Sequence, residues 1–435
     1  MLVDFSFTNY LSFKDTATLS MIVSEKPEAN EPRRLIPIGN EKYALSSFAA
    51  LYGPNASGKS NAVKALMDFV MLILQSHTLG IDAPIPSYRP FRLDENSRTA
   101  PVGFEAEFVI EGIRYAFKVR FDRFSILEEE LIFYPEGRRA LLYSRKKGEP
   151  IDFGSKFIGK KRELEGFVRK NALFLSTAVN LSNEVLKPIY KYFQTKYQFH
   201  VSMDSAGHPI MTTTHDIRVK GLEYKKAIMG FLNAADISVV DVDIRKNDAA
   251  AKSISFSPDM PNEFRQALIE NLQYQPFLGH AVYGDIAPSG KNEYFDLNGE
   301  ESGGTVKMYE LAGEVINALA TPGVLVVDEF NSGLHPQLSE FIIGLFRSPT
   351  INPKGAQLII TSHDTNLMSR SDISRDELWI VDRNARGASE LYSINDFSKN
   401  VVRKGTNLEK WYLDGRFKGI PSLDPSKFFM GEEHA

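Results

Sequence analysis

The sequence predicts an α/β fold that combines a mixed β-sheet with an antiparallel β-meander and a mostly helical inserted lobe. Short apolar runs, typical of buried parallel strands, alternate with helical patterns in the first 80 residues and again after residue 295. Between them lie runs of alternating polarity and then a long polar, helical stretch. Alternating strands and helices favour a sheet covered by helices, here interrupted by the meander and the lobe.

The stretch "SFAALYGPNASGKSN" (47–61) predicts a strand, a glycine-rich loop and a helix in direct succession. Residues 47–52 form an apolar run, and the loop has the spacing G-x-x-x-x-G-K-S of a phosphate-binding loop. An accidental match on a glycine-rich turn is the alternative, and the flanking strand and helix disfavour it. The helix over 60–76 is predicted by apolar residues at helical spacing, namely Val63, Leu66, Phe69, Val70 and Ile73.

Each part of this loop has a physical role in holding phosphate. Gly53 and Gly58 allow a tight turn that brings backbone N–H groups close to an anion. Lys59 reaches the β- and γ-phosphates of a nucleotide, the Ser60 hydroxyl ligates Mg²⁺, and the following helix adds its dipole. The predicted nucleotide-binding residues are Gly53, Pro54, Asn55, Ala56, Ser57, Gly58, Lys59, Ser60 and Asn61.

Strands with a period of two precede and follow this motif. "MLVDFSFTNYLSF" alternates apolar and polar residues, and "ATLSMIV" is predicted to pair with it. Residues 25–44 are predicted to be a loop, and the prolines within 80–101 predict an extended connection. An antiparallel meander is then predicted from "VGFEAEFVIEG", "IRYAFKVRF", "ILEEELIFY" and "ALLYSRKKGEP".

The core is predicted to be split by an insertion. Helical, polar segments begin near 155, and the α/β pattern resumes at 295 with a helix over 305–320 and the strands "GVLVVDEF" and "AQLIITS". No internal repeat of 20 to 50 residues is apparent. The predicted domains are the first half of the core at 1–154, the insertion at 155–294, the second half at 295–399 and a C-terminal tail at 400–435.

The run "VLVVDEF" (324–330) is an apolar strand that ends in two carboxylates. Ligands bind at the carboxyl ends of strands in open α/β sheets. Asp328 is therefore predicted to hold the Mg²⁺ shell, and Glu329 to act as the general base on the attacking water of a phosphoryl transfer. The alternative is an acidic strand end that meets a turn, which the upstream phosphate-binding loop disfavours.

Two further motifs lie close to this strand in sequence. Ser302, Gly303 and Gly304 open the helix before it and predict an anion site, although a plain glycine-rich helix start is the alternative. "LIITSHD" (358–364) is a buried strand that ends in His363, 35 residues beyond Asp328. This histidine can donate a hydrogen bond to a γ-phosphate, and a purely structural histidine is the alternative.

The order of these motifs resembles the ABC-type ATPase head, in its SMC-like and recombination-repair branch. Further segments look like the OLD-like ATPases of bacterial phage-defence operons, of the AbiL/RloA type. The early motifs are shared by many ATPases, and "FKGIPSLD" is more specific to this group. The matching segments are "NYLSFKD", "GPNASGKSN", "YRPFRLD", "NALFLS", "AADI", "ESGGT", "DEFNSGLHP", "TSHDTNLM", "RDELWIVDR", "ELYSI" and "DGRFKGIPSLD".

This resemblance implies a slow ATPase that sandwiches ATP between two heads of a homodimer or higher homo-oligomer. It implies that Lys59 and Ser60 bind phosphate and Mg²⁺ and that residues 302–304 act across the interface as the signature. Glu329 would be catalytic and His363 would sense the γ-phosphate.

The sequence also departs from the family pattern. Asn331 stands where relatives often carry an acidic residue, and Gln75 lies in the wrong context to be the glutamine that links head and insertion. About 70 residues follow His363, so no C-terminal TOPRIM nuclease is expected. The acids of "DVD" (241–243) are expected to face solvent rather than to bind metal, and the eight histidines lack metal-ligand spacing.

Composition bounds the class of protein. The 435 residues are too many for one ordinary core, and 43% apolar and 24% charged residues are typical of a globular chain. The absence of cysteine favours the cytosol, and neither a signal peptide nor a membrane span is expected. A net charge of −4 gives no overall attraction to nucleic acid. The basic runs "YSRKKG" and "GKKRE" are solvated turns or contacts to DNA or RNA.

Two functions remain open at this point. In the first, the chain is the ATP-dependent sensor or scaffold of an anti-phage, abortive-infection or toxin–antitoxin-like pair and controls a separate, operon-encoded effector. In the second, it is an SMC-like DNA-repair ATPase that acts on DNA ends. The predicted insertion shows no sustained heptads, which favours the first. A GTPase is disfavoured because no N-K-x-D motif is present.

Overall fold

The computed structural model describes residues 1–23, 35–37, 44–159, 161–201, 208–247, 273–284, 288–370, 372–397 and 406–421. The chain forms two compact units. Unit 1 comprises Met1–Tyr197 and Gln357–Ala435, and unit 2 comprises Gln198–Ala356. The predicted domain boundaries follow motifs rather than compactness, and they stay a prediction. Among the described residues, no helix has the length and apolar character needed to cross a membrane.

Most strands of the described residues are short, and the longest of them, Tyr274–Tyr283, has 10 residues. They are β1 (Leu2–Thr8), β2 (Ala17–Ser20), β3 (Ile22–Val23), β4 (Leu35–Pro37), β5 (Ala44–Ser46), β6 (Phe48–Tyr52), β7 (Val102–Ile110), β8 (Ile113–Phe121), β9 (Ile126–Tyr134), β10 (Ala140–Lys146), β11 (Asp152–Phe153), β12 (Tyr197–His200), β13 (Asp241–Lys246), β14 (Tyr274–Tyr283), β15 (Pro288–Asp296), β16 (Val324–Val327), β17 (Gln357–Thr361), β18 (Leu378–Arg383) and β19 (Ser389–Ser393).

The helices are distributed over both units. They are α1 (Lys59–Gln75), α2 (Lys161–Gly166), α3 (Phe174–Asn180), α4 (Lys187–Lys196), α5 (His208–Lys220), α6 (Leu222–Ala234), α7 (Gly303–Ala320), α8 (Pro336–Arg347) and α9 (Leu408–Leu413). The predicted helices over 60–76 and 305–320 correspond to α1 and α7, with starts one and two residues earlier.

The meander belongs to unit 1 and forms an antiparallel sheet of seven strands, in the order β11-β10-β9-β8-β7-β1-β2. β1 pairs with β2 as predicted, with Phe5 opposite Leu19. The period of two in β7 buries Phe104, Ala106 and Phe108 on one face. The predicted antiparallel meander is therefore confirmed, and it is extended by the two N-terminal strands.

Helix α1 is anchored on this sheet by Phe69, which is fully buried. Its ring centroid lies 5.5 Å from that of Phe5, 6.0 Å from that of Phe104 and 5.9 Å from that of Phe117. Burial of an aromatic ring stabilises the folded state more than burial of most other side chains does, and contacts between such rings stabilise it further. The packing fixes the direction of α1 and so the position of the loop that precedes it.

A second sheet of unit 1 places four strands in the order β17-β6-β18-β19. β6 is parallel to both of its neighbours, and β19 is antiparallel to β18. All five residues of β6 and all five of β17 are buried, which explains why both strands are continuous apolar runs. The carboxyl ends of β6, β17 and β18 thus lie at the same edge of this sheet.

Unit 2 contains the acidic strand and its helices. β16 is hydrogen-bonded to β12, and α5 and α6 both pack on α7. β13, β14 and β15 form a separate antiparallel sheet that the prediction of a mostly helical insertion did not include. β15 shows no apolar alternation because its residues are almost all exposed. The predicted α/β class with a mixed sheet is confirmed.

Candidate functional site

The loop 53–58 at the end of β6 requires glycine at both of its motif positions. Gly53 has φ +154°, and a Cβ atom there would lie 2.1 Å from the backbone oxygen of Val381 on β18. Gly58 has φ +113°, and its Cβ would lie 2.4 Å from Ser389 Oγ. Neither distance is compatible with a side chain, so the close packing of the loop against its neighbours depends on both glycines.

The side chain of Lys59 is folded back over this loop. It is 6% exposed, and its Nζ donates hydrogen bonds to the backbone oxygens of Gly53 at 2.8 Å and Pro54 at 3.0 Å. The first turn of α1 carries no acidic residue, so the positive end of the helix dipole is not compensated by a nearby carboxylate. Ser57 Oγ is buried without a hydrogen-bond partner among the described residues. These features fit a bound polyphosphate.

Ser12 and Ser389 hold the loop from one side through hydrogen bonds, and we call this arrangement the serine brace. It was not predicted from the sequence. Ser389 Oγ donates to the backbone oxygen of Ser57. The Ser389 N–H donates to the Ser12 oxygen at 2.7 Å, and Asn61 Nδ2 donates to Ser12 Oγ at 2.8 Å. Ser12 lies in the resemblance motif "NYLSFKD", and Ser389 directly precedes "ELYSI". Because Ser389 lies hundreds of residues after Ser12 and Ser57 in the chain, no local sequence pattern predicted these contacts.

A cleft of about 430 Å³ lies beside this brace. Its walls come from the segment after β1, from the segment before β7 and from the turn between β18 and β19, and they include Lys14, Leu93 and Arg386. Lys14 Nζ contacts Asp94 Oδ2 at 2.8 Å, and this hydrogen bond lowers the pKa of the Asp94 carboxyl to about 2. The cleft is therefore bounded by a charge pair that persists at neutral pH.

His363 follows β17 at the edge where β6 ends. The Ser362 N–H donates to the Leu51 oxygen at 3.0 Å. Leu51 lies in β6, two residues before the phosphate-binding loop, so this bond holds the turn that carries His363 beside the end of β6. The His363 side chain is exposed. Next to it, burial and the nearby Asp364 carboxylate raise the pKa of the Tyr52 phenol, which therefore stays neutral. Unit 1 thus brings the loop and His363 to one sheet edge.

The acidic pair lies at the end of β16 in unit 2. Asp328 is 5% exposed, and its N–H donates to the His200 oxygen at 2.8 Å. Glu329 is exposed and has φ +50°, in the left-handed region that a residue with a Cβ rarely adopts. Such a conformation costs about 1 to 3 kcal/mol and is concentrated at functional sites. No local sequence pattern predicts this conformation.

Ser302 is the N-cap of α7, and its Oγ accepts a hydrogen bond from the Thr305 N–H at 3.1 Å. The first turn of α7 has no acidic residue. A Cβ on Gly303 would meet no atom within 4 Å, and one on Gly304 would lie 3.4 Å from the Gly333 oxygen. The helix start is therefore exposed at Gly303 and touches, at Gly304, the loop that follows Glu329.

A half-buried charge cluster on α7 lies beside the acidic pair and was not predicted. Lys307 Nζ is 2.6 Å from His200 Nε2, and His200 Nδ1 is 3.0 Å from Glu314 Oε2. A neutral imidazole that donates from Nδ1 and accepts at Nε2 satisfies both contacts. Burial lowers the pKa of Lys307, and the carboxylates of Glu310 and of Asp328 are among the charges that oppose this effect. The cluster connects the end of the strand that carries His200 to helix α7.

Unit 1 therefore carries residues 53–61 and His363, and unit 2 carries residues 302–304, Asp328 and Glu329. The roles assigned to these side chains stay predictions. In the described residues, no group of three or more His, Cys, Asp or Glu side chains could hold a metal ion. Mg²⁺ in phosphoryl transfer is held by one or two protein ligands together with phosphates and water, and Ser60 and Asp328 are of the right chemistry.

Comparison with known proteins places this geometry in a family. A family model described as "AAA domain, putative AbiEii toxin, Type IV TA system" matches residues 48–369. The chain belongs to this family. Its AbiEii-type AAA domain thus spans the phosphate-binding loop, the acidic pair and His363, and the predicted P-loop ATPase fold is confirmed. No curated protein matches the chain.

Several solved structures are similar to this AbiEii-type chain. The SMC head domain from Thermotoga maritima is 13% identical with a TM-score of 0.38, covering 90% of this chain and 98% of that one. An Smc head with an extended coiled coil from Pyrococcus furiosus, bound to the C-terminal domain of ScpA, is 11% identical with a TM-score of 0.37, covering 96% and 99%. An Smc head with a coiled coil and joint from Pyrococcus yayanosii is 9% identical with a TM-score of 0.41, also covering 96% and 99%.

Proposed function

We propose that this chain binds ATP with Mg²⁺ and hydrolyses it slowly to ADP and phosphate. The observation that carries this proposal is the loop 53–58, which needs glycine at two positions and encloses the buried ammonium of Lys59. Binding a polyphosphate would draw that ammonium from two backbone oxygens to phosphate oxygens, which offer a full negative charge. The cleft bounded by Lys14 and Arg386 is of a size to take the nucleoside part.

The remaining site residues have separate roles in this proposal. Residues 53–61 hold the phosphates, and Ser60 and Asp328 hold Mg²⁺, whose charge compensates that of the phosphates. Glu329 orients the attacking water and takes up its proton at a carboxylate oxygen, while His363 donates a hydrogen bond to the γ-phosphate. The left-handed backbone of Glu329 supports this assignment, since such conformations are concentrated at functional sites.

We further propose that two copies of the chain sandwich ATP between them. The exposed α7 start at residues 302–304 would then contact the γ-phosphate bound by the partner's phosphate-binding loop. Support comes from the absence of acidic residues in the first turn of α7 and from the open space at Gly303. ATP would favour the closed pair and ADP the open one, so that hydrolysis sets the assembly state.

In the cell, we propose that the chain is the cytoplasmic sensor or scaffold of an anti-phage system and controls a separate effector. The toxin–antitoxin description of its family and the OLD-like, AbiL/RloA-type motifs support this role. The rival role, an SMC-like DNA-repair ATPase, would favour long coiled-coil arms. In the described part of 155–294, the longest helices have 13 residues, which is too short for such arms.

Plaque assays test the cellular role. Cells would carry this gene, the adjacent gene, both together, or both with Lys59→Ala in this chain. We expect protection only from the intact pair, because the effector acts and this chain controls it in an ATP-dependent way. Lys187→Ala is the matched control, since Lys187 is an exposed lysine of unit 1 that pairs with Glu184 at 3.0 Å.

Three outcomes would contradict this role or its dependence on ATP. Full protection by this chain alone would place the effector activity within it, and toxicity of this chain alone would make it the toxin that the family description names. Protection by the pair with Lys59→Ala at the level of the Lys187→Ala control would show that ATP binding is not needed.

A further inference from the structure

A second cationic cleft lies in unit 1, on the segment that also lines the proposed nucleoside cleft. A cleft of about 570 Å³ is lined by Pro84, Tyr88 and Pro90 together with three arginines, Arg92, Arg98 and Arg123. The volume is within the range of about 300 to 1,000 Å³ that is typical of ligand sites. The arginines come from "YRPFRLD", from the segment that follows it and from the turn between β8 and β9. The proposed ATPase chemistry uses none of them.

The arginines of this cleft are not held in ion pairs in the described part of the chain. In the described part of the chain, none of the three arginines forms an ion pair; Arg98 Nε donates to the Arg92 backbone oxygen at 2.8 Å, and the Arg123 guanidinium lies 5.4 Å from the Phe124 ring centroid. Nearby carboxylates have other partners: Asp94 is bound by Lys14 at 2.8 Å, and Asp122 lies 3.5 Å from Lys147.

The backbone that carries the arginines is held in place. Asn9 is 5% exposed, and its Nδ2 donates to the oxygens of Ser97 at 2.9 Å and Ala100 at 3.0 Å, while its Oδ1 accepts from the Phe91 N–H at 3.1 Å. The Ile85 N–H donates to the Arg123 oxygen at 2.8 Å and ties both walls of the cleft together. A ligand would therefore order only side chains, which lowers the entropic cost of binding.

Aromatic surface accompanies the charge. Tyr88 is half-buried and is oriented by the hydrogen bond from its Oη to the Ala100 oxygen at 3.1 Å. The Phe124 ring is 42% exposed beside Arg123. Arginines with neighbouring aromatic rings are the combination that binds single strands, since the cations meet phosphates and the rings stack on bases.

Of the two basic runs noted in the sequence, "YSRKKG" does not offer such a site. In "YSRKKG", Arg145 is 11% exposed, lies 3.5 Å from the buried Glu129 carboxylate and donates to the Ala172 oxygen, while Lys147 pairs with Asp122. These side chains have structural partners. "GKKRE" includes residue 160, which lies outside the described residues, and a contact of that run with nucleic acid stays untested.

We propose that the arginine cleft binds the phosphate groups of a single-stranded nucleic acid, with Tyr88 and Phe124 stacking on its bases. Residues 91, 93 and 94 line the proposed nucleoside cleft, whereas residues 90, 92 and 98 line this one. The proposal does not depend on the proposed ATPase function. The ligand is a polymer in this proposal because three unpaired guanidinium groups on a fixed frame can meet successive phosphates at once.

Fluorescence anisotropy of labelled oligonucleotides tests the proposal. Single-stranded DNA and RNA of about 12 nucleotides would be titrated with the full chain, without ATP, between about 50 and 200 mM salt. We expect the triple variant Arg92→Gln, Arg98→Gln, Arg123→Gln to bind at least about tenfold more weakly. Its salt dependence should be shallower by about 2 in the logarithmic slope, since each lost contact to a single strand removes about 0.7.

Arg139→Gln is the matched control, because Arg139 is an exposed arginine of unit 1 that lies 3.8 Å from Glu130. It should bind like the unaltered chain, and the thermal midpoints of all variants should agree. Equal affinity and slope of the triple variant and the control would overturn the proposal, as would no binding of either oligonucleotide. A further competition uses Lys59→Ala, which removes the lysine of the phosphate-binding loop. If inorganic phosphate, at the same total phosphate concentration as the oligonucleotide, displaced the oligonucleotide from this variant, the cleft would be an adventitious small-anion site. That result would also overturn the proposal.

Discussion

The ammonium group of Lys59 is held inside the loop 53–58 by the backbone oxygens of Gly53 and Pro54. Both contacts are to neutral oxygens, and phosphate oxygens are stronger partners for a cation. The lysine is therefore placed to exchange its partners when a polyphosphate enters the loop. At this scale, we expect nucleotide affinity to depend on one side chain and on the two glycines that shape its surroundings.

Replacing Lys59 by alanine should weaken ATP binding by about 100-fold or more, because each hydrogen bond to a charged group contributes about 1.5 to 3 kcal/mol. Equilibrium titration with a fluorescent ATP analogue measures this change. Lys187→Ala should bind as the unaltered chain does. Similar affinities of both variants would show that Lys59 does not contact the nucleotide.

The phosphate-binding loop could be predicted residue by residue because its signal is contiguous over 53–60. The brace by Ser12 and Ser389 and the contact between His200 and Lys307 could not be predicted, since each joins residues far apart in the chain. The left-handed backbone of Glu329 was equally hidden, because glutamate has no preference for that conformation.

At the scale of elements, α1 is connected to the N-terminal strands by a buried polar contact. Tyr10 Oη donates to Asp68 Oδ2 on α1 at 2.8 Å, and Arg89 Nε lies 3.5 Å from the same oxygen. Burial raises the pKa of Asp68, although the Tyr10 hydrogen bond and Arg89 oppose this effect. Folding therefore favours the protonated carboxyl, and ionised Asp68 reduces stability at neutral pH.

Asp68→Asn removes this ionisation and keeps an oxygen that can accept from Tyr10. The stability of the variant relative to the unaltered chain should be highest near pH 7 and should decrease as the pH falls through the raised pKa of Asp68. Asp94→Asn is the control of opposite sign, since the pKa of Asp94 is lowered to about 2. It should be destabilising at neutral pH, with a difference that disappears as the pH falls through the lowered pKa. Thermal midpoints across pH measure both, and identical pH profiles would contradict the account.

The elements that the sequence predicted well are those with a strong period. β7, β8 and β9 alternate and are paired in one meander, and α1 has apolar residues at helical spacing. β15 was missed because "PSGKNEYFD" is mostly polar and shows no apolar alternation, and its pairing with β14 is decided by the neighbouring strand. Local preference therefore did not identify the small sheet of unit 2.

At the scale of the whole molecule, the proposed sandwich depends on the exposed start of α7. Ser302→Arg would place a cation and a long side chain at this N-terminus and remove the N-cap. With ATP and Glu329→Gln to slow turnover, the otherwise unaltered chain should double in mass, and the added Ser302→Arg should prevent this. Light scattering with and without ATP measures the mass.

Loss of the N-cap could also weaken α7 itself, and Ser302→Asp is the variant that separates these effects. Aspartate caps a helix as serine does but would repel a phosphate. Ser302→Asp should therefore keep the thermal midpoint and still prevent doubling of the mass. ATP-dependent assembly of both variants, equal to that of the parent, would contradict a role of Ser302 in the interface.

The measurement that tests the central claim most directly is single-turnover hydrolysis of ATP by the unaltered chain and by Glu329→Gln. We expect the affinity of the variant for ATP to stay within about threefold of that of the unaltered chain. Its rate of hydrolysis should be at least about 100-fold lower, because the positioned base is lost. Hydrolysis by Glu329→Gln at the rate of the unaltered chain, or no hydrolysis by either protein, would contradict the account.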